Sequence, residues 1–192
     1  MMAFFIYGDY GRLLKSIFFV PYYKMLMLPY KDFTLKAHLA NAEAIASTLL
    51  AMGASFVGED HQHDTYFRAQ NGKLKFRHGT LGTLITHYER IAVGSLEKTH
   101  VYRYDVNPSE AEVQQLFATS ERLGETHKIR KQYQFQNVTI HLDKLPNGEN
   151  YIEVEAKDYS NSFSELDLQT QCKALFEKLD ISNNAFVKTG YL

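Results

Sequence analysis

The feature that most constrains this chain is a two-residue alternation whose polar positions are sorted by sign. Residues 151–158 read YIEVEAKD, with Ile152, Val154 and Ala156 on one face and Glu153 and Glu155 on the other. Residues 128–131 read KIRK, with Lys128 and Arg130 sharing a face. Side chains of a strand point alternately to opposite sides, so each stretch reads as a strand whose polar face carries two like charges side by side, with Lys157 following the glutamates on theirs. In an ordinary half-solvated sheet the charges are scattered and cross-strand pairs take opposite signs. Adjacent like charges on two strands point instead to a common charged interior.

The same alternation organises the rest of the chain. KDFTLKAHL (31–39) sets Phe33, Leu35, Ala37 and Leu39 against Asp32, Thr34, Lys36 and His38. NAEAIASTLLAMGA follows as a helix, N-capped by Asn41 and stopped by Gly53. HDTYFRAQNGKLKFR reads as a hairpin turning at Asn71-Gly72, its second arm carrying Lys75 and Arg77 on one face. TLITHYERIAV and THVYRYDV are two strands joined through Gly94 and Ser95. NPSEAEVQQLFATSERLG is a helix opened by Pro108 and Ser109 and closed by Gly124. KIRKQYQF, VTIHLD and NYIEVEAKD form an antiparallel meander that turns at Pro146-Asn147-Gly148, and Ser164 to Leu179 form a last amphipathic helix. The count is about eight strands and three helices, a strand-dominated α+β chain.

Parity places Lys36, Lys75, Arg77, Arg90, Lys128 and Arg130 on the same polar face as Asp143, Glu153 and Glu155, with Arg103 a weaker addition. A barrel closed around that face holds a basic wall beside an acidic patch, an interior suited to a highly charged anion bridged to a divalent metal. The 192 residues fit one domain. Lys plus Arg number 21 against 22 Asp plus Glu, so there is no basic excess of the kind a binder of double-stranded nucleic acid carries. Cys172 is the single cysteine, which excludes an internal disulfide and a thiolate cluster and points to a reducing cytoplasm. No apolar run reaches the length of a membrane span. Residues 1–30 are aromatic-rich but interrupted by Asp9, Arg12, Lys15 and Lys24, unlike a signal peptide. They are set apart as an N-terminal extension, read as a peripheral element, as residues ahead of a true start at Met25 or Met27, or, least of all, as a membrane or targeting segment, with the domain at 31–192.

In this order the landmarks resemble the CYTH domain family, the triphosphate tunnel metalloenzymes. HQHDTYF (61–67) resembles the family's QxDTYF segment, LKFR (74–77) its LKIR-type strand and KIRK (128–131) its K-x-R strand. LITHYER (84–90) resembles a strand of the class IV adenylate cyclase-like branch, and TIHLDKLPNGENYIEVE (139–155) the stretch pairing an aspartate with two glutamates. The resemblance implies an antiparallel eight-stranded closed β-barrel, a triphosphate tunnel with helices packed outside. It implies binding of a triphosphate compound and of divalent ions, with hydrolysis of inorganic, thiamine or RNA triphosphates or cyclisation of ATP among the family's activities.

On that reading Lys36, Lys75, Arg77, Arg90, Lys128 and Arg130 bind phosphate, since fixed cations are what hold a polyanion in a low-dielectric site. Asp143, Glu153 and Glu155 are the carboxylates for Mg²⁺ or Mn²⁺, the two glutamates reaching one ion from positions i and i+2. Lys36, Glu153 and Glu155 are the expected catalytic residues. His61, His63, His87, His100, His127 and His141 match no compact zinc spacing. His141, between Thr139 and Asp143, either meets phosphate or completes a hydrogen-bond network.

The opening strand departs from the family's ExExK pattern: Lys36 is kept, but Asp32 and Thr34 stand where glutamates are expected. Two classes of function follow. One is an enzyme that hydrolyses or cyclises a triphosphate compound; the other is a protein that binds a nucleotide or polyphosphate without turning it over.

Overall fold

A computed structural model describes residues 31–182 and 185–187, so the expectations for residues 1–30 lie outside the described residues. Eight strands and three helices run in the order β1 (Lys31–Leu39), α1 (Ala42–Ala51), β2 (Ser55–Phe67), β3 (Lys73–Gly79), β4 (Gly82–Val93), β5 (Leu96–Val106), α2 (Glu110–Thr119), β6 (Arg122–Phe135), β7 (Val138–Lys144), β8 (Asn150–Asp158) and α3 (Glu165–Lys178). The strands close into one antiparallel barrel in the order β1-β5-β4-β3-β2-β6-β7-β8. Closure leaves no free sheet edge and separates an inner from an outer face along every strand.

The outer face of β1, β6, β7 and β8 is the dry one. Phe33, Leu35, Ile140, Leu142, Ile152 and Val154 pack there with Leu49 of α1 and Leu168, Cys172, Leu175 and Phe176 of α3. A smaller cluster joins Phe67 and Ile85 to Leu116 of α2. The helices start where their caps dictate. Asn41 accepts from the Ala44 N–H, while Ser109 with Glu112 and Ser164 with Asp167 form capping boxes.

Two expectations are corrected. The second helix ends at Thr119, and Gly124 lies within β6 opposite Tyr66 instead of closing the helix. The first arm of the hairpin begins at Ser55, well before His63. The turn itself is as expected: Gly72 has φ +64°, and a Cβ there would collide with the Tyr88 carbonyl oxygen. Among the described residues, no helix is long and apolar enough to cross a membrane.

Candidate functional site

The inner faces enclose a cavity of about 1010 Å³, and all six cations predicted for the polar face line it. Lys36, Lys128 and Arg130 are only 5%, 6% and 6% exposed, so these are interior charges rather than a solvated rim. Their register explains the grouping. Lys36 pairs with Glu153 across β1 and β8, Glu153 with His141 across β8 and β7, and Arg130 with Asp143 across β6 and β7. Lys73 and Lys157, neither of them among the expected phosphate-binding cations, line the same cavity.

Arg103 does not line it. The β4–β5 pairing passes from Tyr88–Val101 to His87–Arg103 through a bulge, which reverses the parity beyond Val101. Arg103 therefore donates to Asp105 at 2.6 Å, away from the cavity.

Two buried aspartates stand behind the basic wall as anchors. Asp64 accepts from Arg77 at 2.6 and 2.7 Å and from Lys75 at 3.2 Å. Asp143 accepts from Arg130 at 2.6 Å through each oxygen and from Lys128 at 3.0 Å. Burial alone pushes both carboxyls up, but the adjoining cations hold them far below the ordinary carboxylate range. The anchored lysines feel the opposite balance. Burial and the neighbouring Arg130 bring Lys128 down to about 7, and burial brings Lys36 and Lys75 to about 8. The wall is thus preorganised: long cationic side chains are fixed before any anion arrives. Asp64 was missed in the sequence, although its parity with Gln62 and Tyr66 in HQHDTYF marks it as inward-facing.

The acidic side gathers on β8. Glu153 accepts from Arg90 at 2.5 Å and from Arg130 at 2.9 Å, and these charges outweigh burial to keep it ionised. Lys157 lies 2.6 Å from Glu155 Oε2 in a buried ion pair. Burial raises and Lys157 and His141 lower the Glu155 carboxyl, to about 2. His141, Glu153 and Glu155 each offer a donor atom, all within 4.8 Å of one another. His141 Nδ1 is buried without a hydrogen-bond partner, 3.6 Å from Glu153 Oε2. An unpartnered imidazole nitrogen beside two carboxylates fits a divalent cation. Asp143, expected to share that role, lies outside this triplet, with both oxygens taken by Arg130 and Lys128.

On β1, Thr34 lies between Glu155 of β8 and Glu97 of β5, and its buried hydroxyl has no hydrogen-bond partner. Asp32 accepts from the Thr99 N–H at 3.2 Å. Burial and the Glu155 charge raise its carboxyl to about 6.

A family model, the CYTH domain, matches residues 34–191. No curated protein sequence matches the chain. Among solved structures, the PH1012 protein of Pyrococcus horikoshii OT3 superposes with a TM-score of 0.71 at 20% identity, covering 83% of this chain and 96% of its own. A Vibrio parahaemolyticus protein with a provisional adenylate cyclase assignment gives 0.63 at 14% identity, over 83% and 94%. HpAC1 from Hippeastrum, for which a dominant triphosphatase activity is described, gives 0.55 at 13% identity, over 84% and 92%. At these identities the likeness is one of fold.

Proposed function

Because the chain belongs to the CYTH domain family, we propose that it binds a triphosphate-containing compound inside the barrel and hydrolyses it with the help of a divalent metal. The observation that carries this reading is the basic wall itself: Lys36, Lys75, Arg77, Arg90, Lys128 and Arg130 converge on one cavity. Arginine forks and lysine point charges together neutralise adjacent phosphoryl groups and hold them in line. Asp64 and Asp143 act as positioning residues, each fixing an arginine and a lysine.

Enzymes of this family generally depend on a divalent metal. Glu153 and Glu155, with His141 beside them, would hold Mg²⁺ or Mn²⁺ here. When bound, such an ion supplies charge stabilisation at a phosphoryl oxygen. Lys36 lies opposite Glu153 on the adjoining strand and contributes a cation on the far side of the carboxylates. Arg90 and Arg130 contact Glu153 and line the cavity, so both guanidinium groups stand beside the carboxylates at the proposed phosphate site.

A second reading, binding without turnover, is favoured by Thr34, which sets no carboxylate between Glu155 and Glu97. The test is to incubate the full chain with inorganic triphosphate, ATP and thiamine triphosphate, each with Mg²⁺ or Mn²⁺. Phosphate, pyrophosphate and cyclic AMP are quantified beside a Glu155→Ala control. Metal-dependent phosphate release that disappears in the control is the expected result. Cyclic AMP with pyrophosphate would reassign the reaction to cyclisation. Absence of product, with a ligand-induced rise in Tm, would leave the binding reading.

A further inference from the structure

The barrel brings together, on its outer wall, three donors that the sequence keeps far apart. His63 of β2 pairs directly with His127 of β6, and Thr65 pairs with Glu125. Residues two apart on a strand share a face, so Glu125 stands diagonally across from His63 on the outward side. From this juxtaposition we infer that His63, Glu125 and His127 form a second metal site, separate from the tunnel, for a borderline divalent transition ion such as Zn²⁺.

The geometry supports a chelate. One donor atom from each of the three residues lies within 4.8 Å of the others. His63 Nε2 is 3.0 Å from Glu125 Oε2, yet it is buried and makes no aligned hydrogen bond. In a tetrahedral zinc site, bonds of about 2.0–2.2 Å place neighbouring donors roughly 3.3 Å apart. The His63–Glu125 pair is within a few tenths of an ångström of that spacing.

The imidazoles of His63 and His127 stack with centroids 4.1 Å apart and planes 21° from parallel. Stacked rings aim their lone pairs side by side, so chelation requires rotation about the His127 Cβ–Cγ bond. His127 is exposed, which leaves that rotation free. Arg122 holds the other oxygen of Glu125, fixing the carboxylate with Oε2 toward His63.

The donor set decides the ion class. Two imidazoles with one carboxylate favour zinc and its neighbours over Mg²⁺ or Ca²⁺, which prefer oxygen alone. Three protein ligands leave one tetrahedral position for water or a further ligand, and the two histidines adjoin a groove of about 390 Å³ also lined by His61, His78 and Pro146. An ion here would clasp β2 to β6 directly behind Gln62 and Lys128, which face the tunnel. Its role is that of an external staple on the cavity wall.

The test uses untagged full-length protein stripped with chelator. Zn²⁺ is titrated in competition with a chromophoric chelator, and the imidazole nitrogens are followed by long-range proton–nitrogen correlation spectra. The expected result, alongside any Zn²⁺ held by the tunnel carboxylates, is a site whose occupancy moves the ring signals of His63 and His127. Its affinity is unchanged in the tunnel variant Glu155→Gln and at least about 10-fold weaker in His63→Ala and in His127→Ala. Unmoved His63 and His127 signals at saturating Zn²⁺ would overturn the inference, as would equal affinity in the histidine variants. The spectra of the unaltered protein decide the matter should either variant fail to fold.

Discussion

Arg130 and Asp143 face each other across β6 and β7 in a two-point ion pair, 2.6 Å at each contact, with Asp143 buried behind the cavity wall. The aspartate does not reach the cavity, yet it fixes two groups that do. The same relationship recurs across β2 and β3, where Asp64 holds Arg77 and Lys75. A basic interior built on buried carboxylates is costly to desolvate and strongly cooperative, because each charge depends on its partner.

Asp143→Asn keeps the shape of the anchor and removes its charge, leaving Lys128 and Arg130 under-compensated inside the barrel. Loss of one partner from a buried ion pair costs about 3–5 kcal/mol. Denaturant unfolding should therefore show a lower midpoint at unchanged slope. A loss below about 1 kcal/mol would show that Asp143 is not the anchor described here.

Burial sets the lysines of the wall to titrate near neutrality, Lys128 at about 7 and Lys36 and Lys75 at about 8. Unfolded lysines titrate near 10.4, so above pH 7 the unfolded chain binds more protons and these groups make stability rise with pH. Their attraction for a polyanion falls over the same interval. Affinity for inorganic triphosphate is expected to drop between about pH 7 and pH 9, and less steeply in Lys36→Arg, whose guanidinium stays charged. Identical pH profiles for the two proteins would remove Lys36 from the binding wall.

Asp32 behaves in the opposite sense to the anchoring aspartates. Its folded value of about 6 exceeds that of an unfolded aspartate, near 3.9. The stability it contributes is complete below about pH 4 and is lost as pH rises through 6. Asp32→Asn retains an acceptor for the Thr99 N–H and should be more stable than the parent by about 1–3 kcal/mol at pH 8. The gain should vanish near pH 4. Thermal melts at the two pH values check this, and a gain independent of pH would point to packing instead.

Thr34 is the buried gap between Glu155 and Glu97. Thr34→Glu adds a carboxylate to an already acidic corner, so the variant should melt lower in chelator and recover with Mn²⁺ or Mg²⁺. If turnover is limited by ion binding, phosphate release should rise at least about 10-fold. A variant that melts at the same temperature with and without metal would show that position 34 does not reach the ion.

Much of this was legible because period-two alternation is a local signal. Glu153 and Glu155, Lys128 and Arg130, and Lys75 and Arg77 could be assigned to one face without knowing their neighbours, and all six line the cavity. The β8 boundaries, Asn150–Asp158, and the preceding turn coincide with the expected ones. What failed were signals that depend on partners. Gly124 looked like a helix stop, but β6 begins two residues before it. The start of β2, SFVGEDHQH, carries polar residues on both faces and so lacked an apolar stripe. The bulge at His87 and Tyr88 reversed the parity that had favoured Arg103. His63 and His127 belong to strands distant in the chain, and only barrel closure makes them neighbours.

The proposal that the barrel interior is a triphosphate site rests on the six cations that line it. Isothermal titration of inorganic triphosphate into the full-length protein and into Lys36→Gln tests it most directly. Saturable one-site binding should weaken at least about 10-fold in the variant, the loss expected for one charge-assisted contact. Absence of binding, or equal affinity in the two proteins, would contradict it.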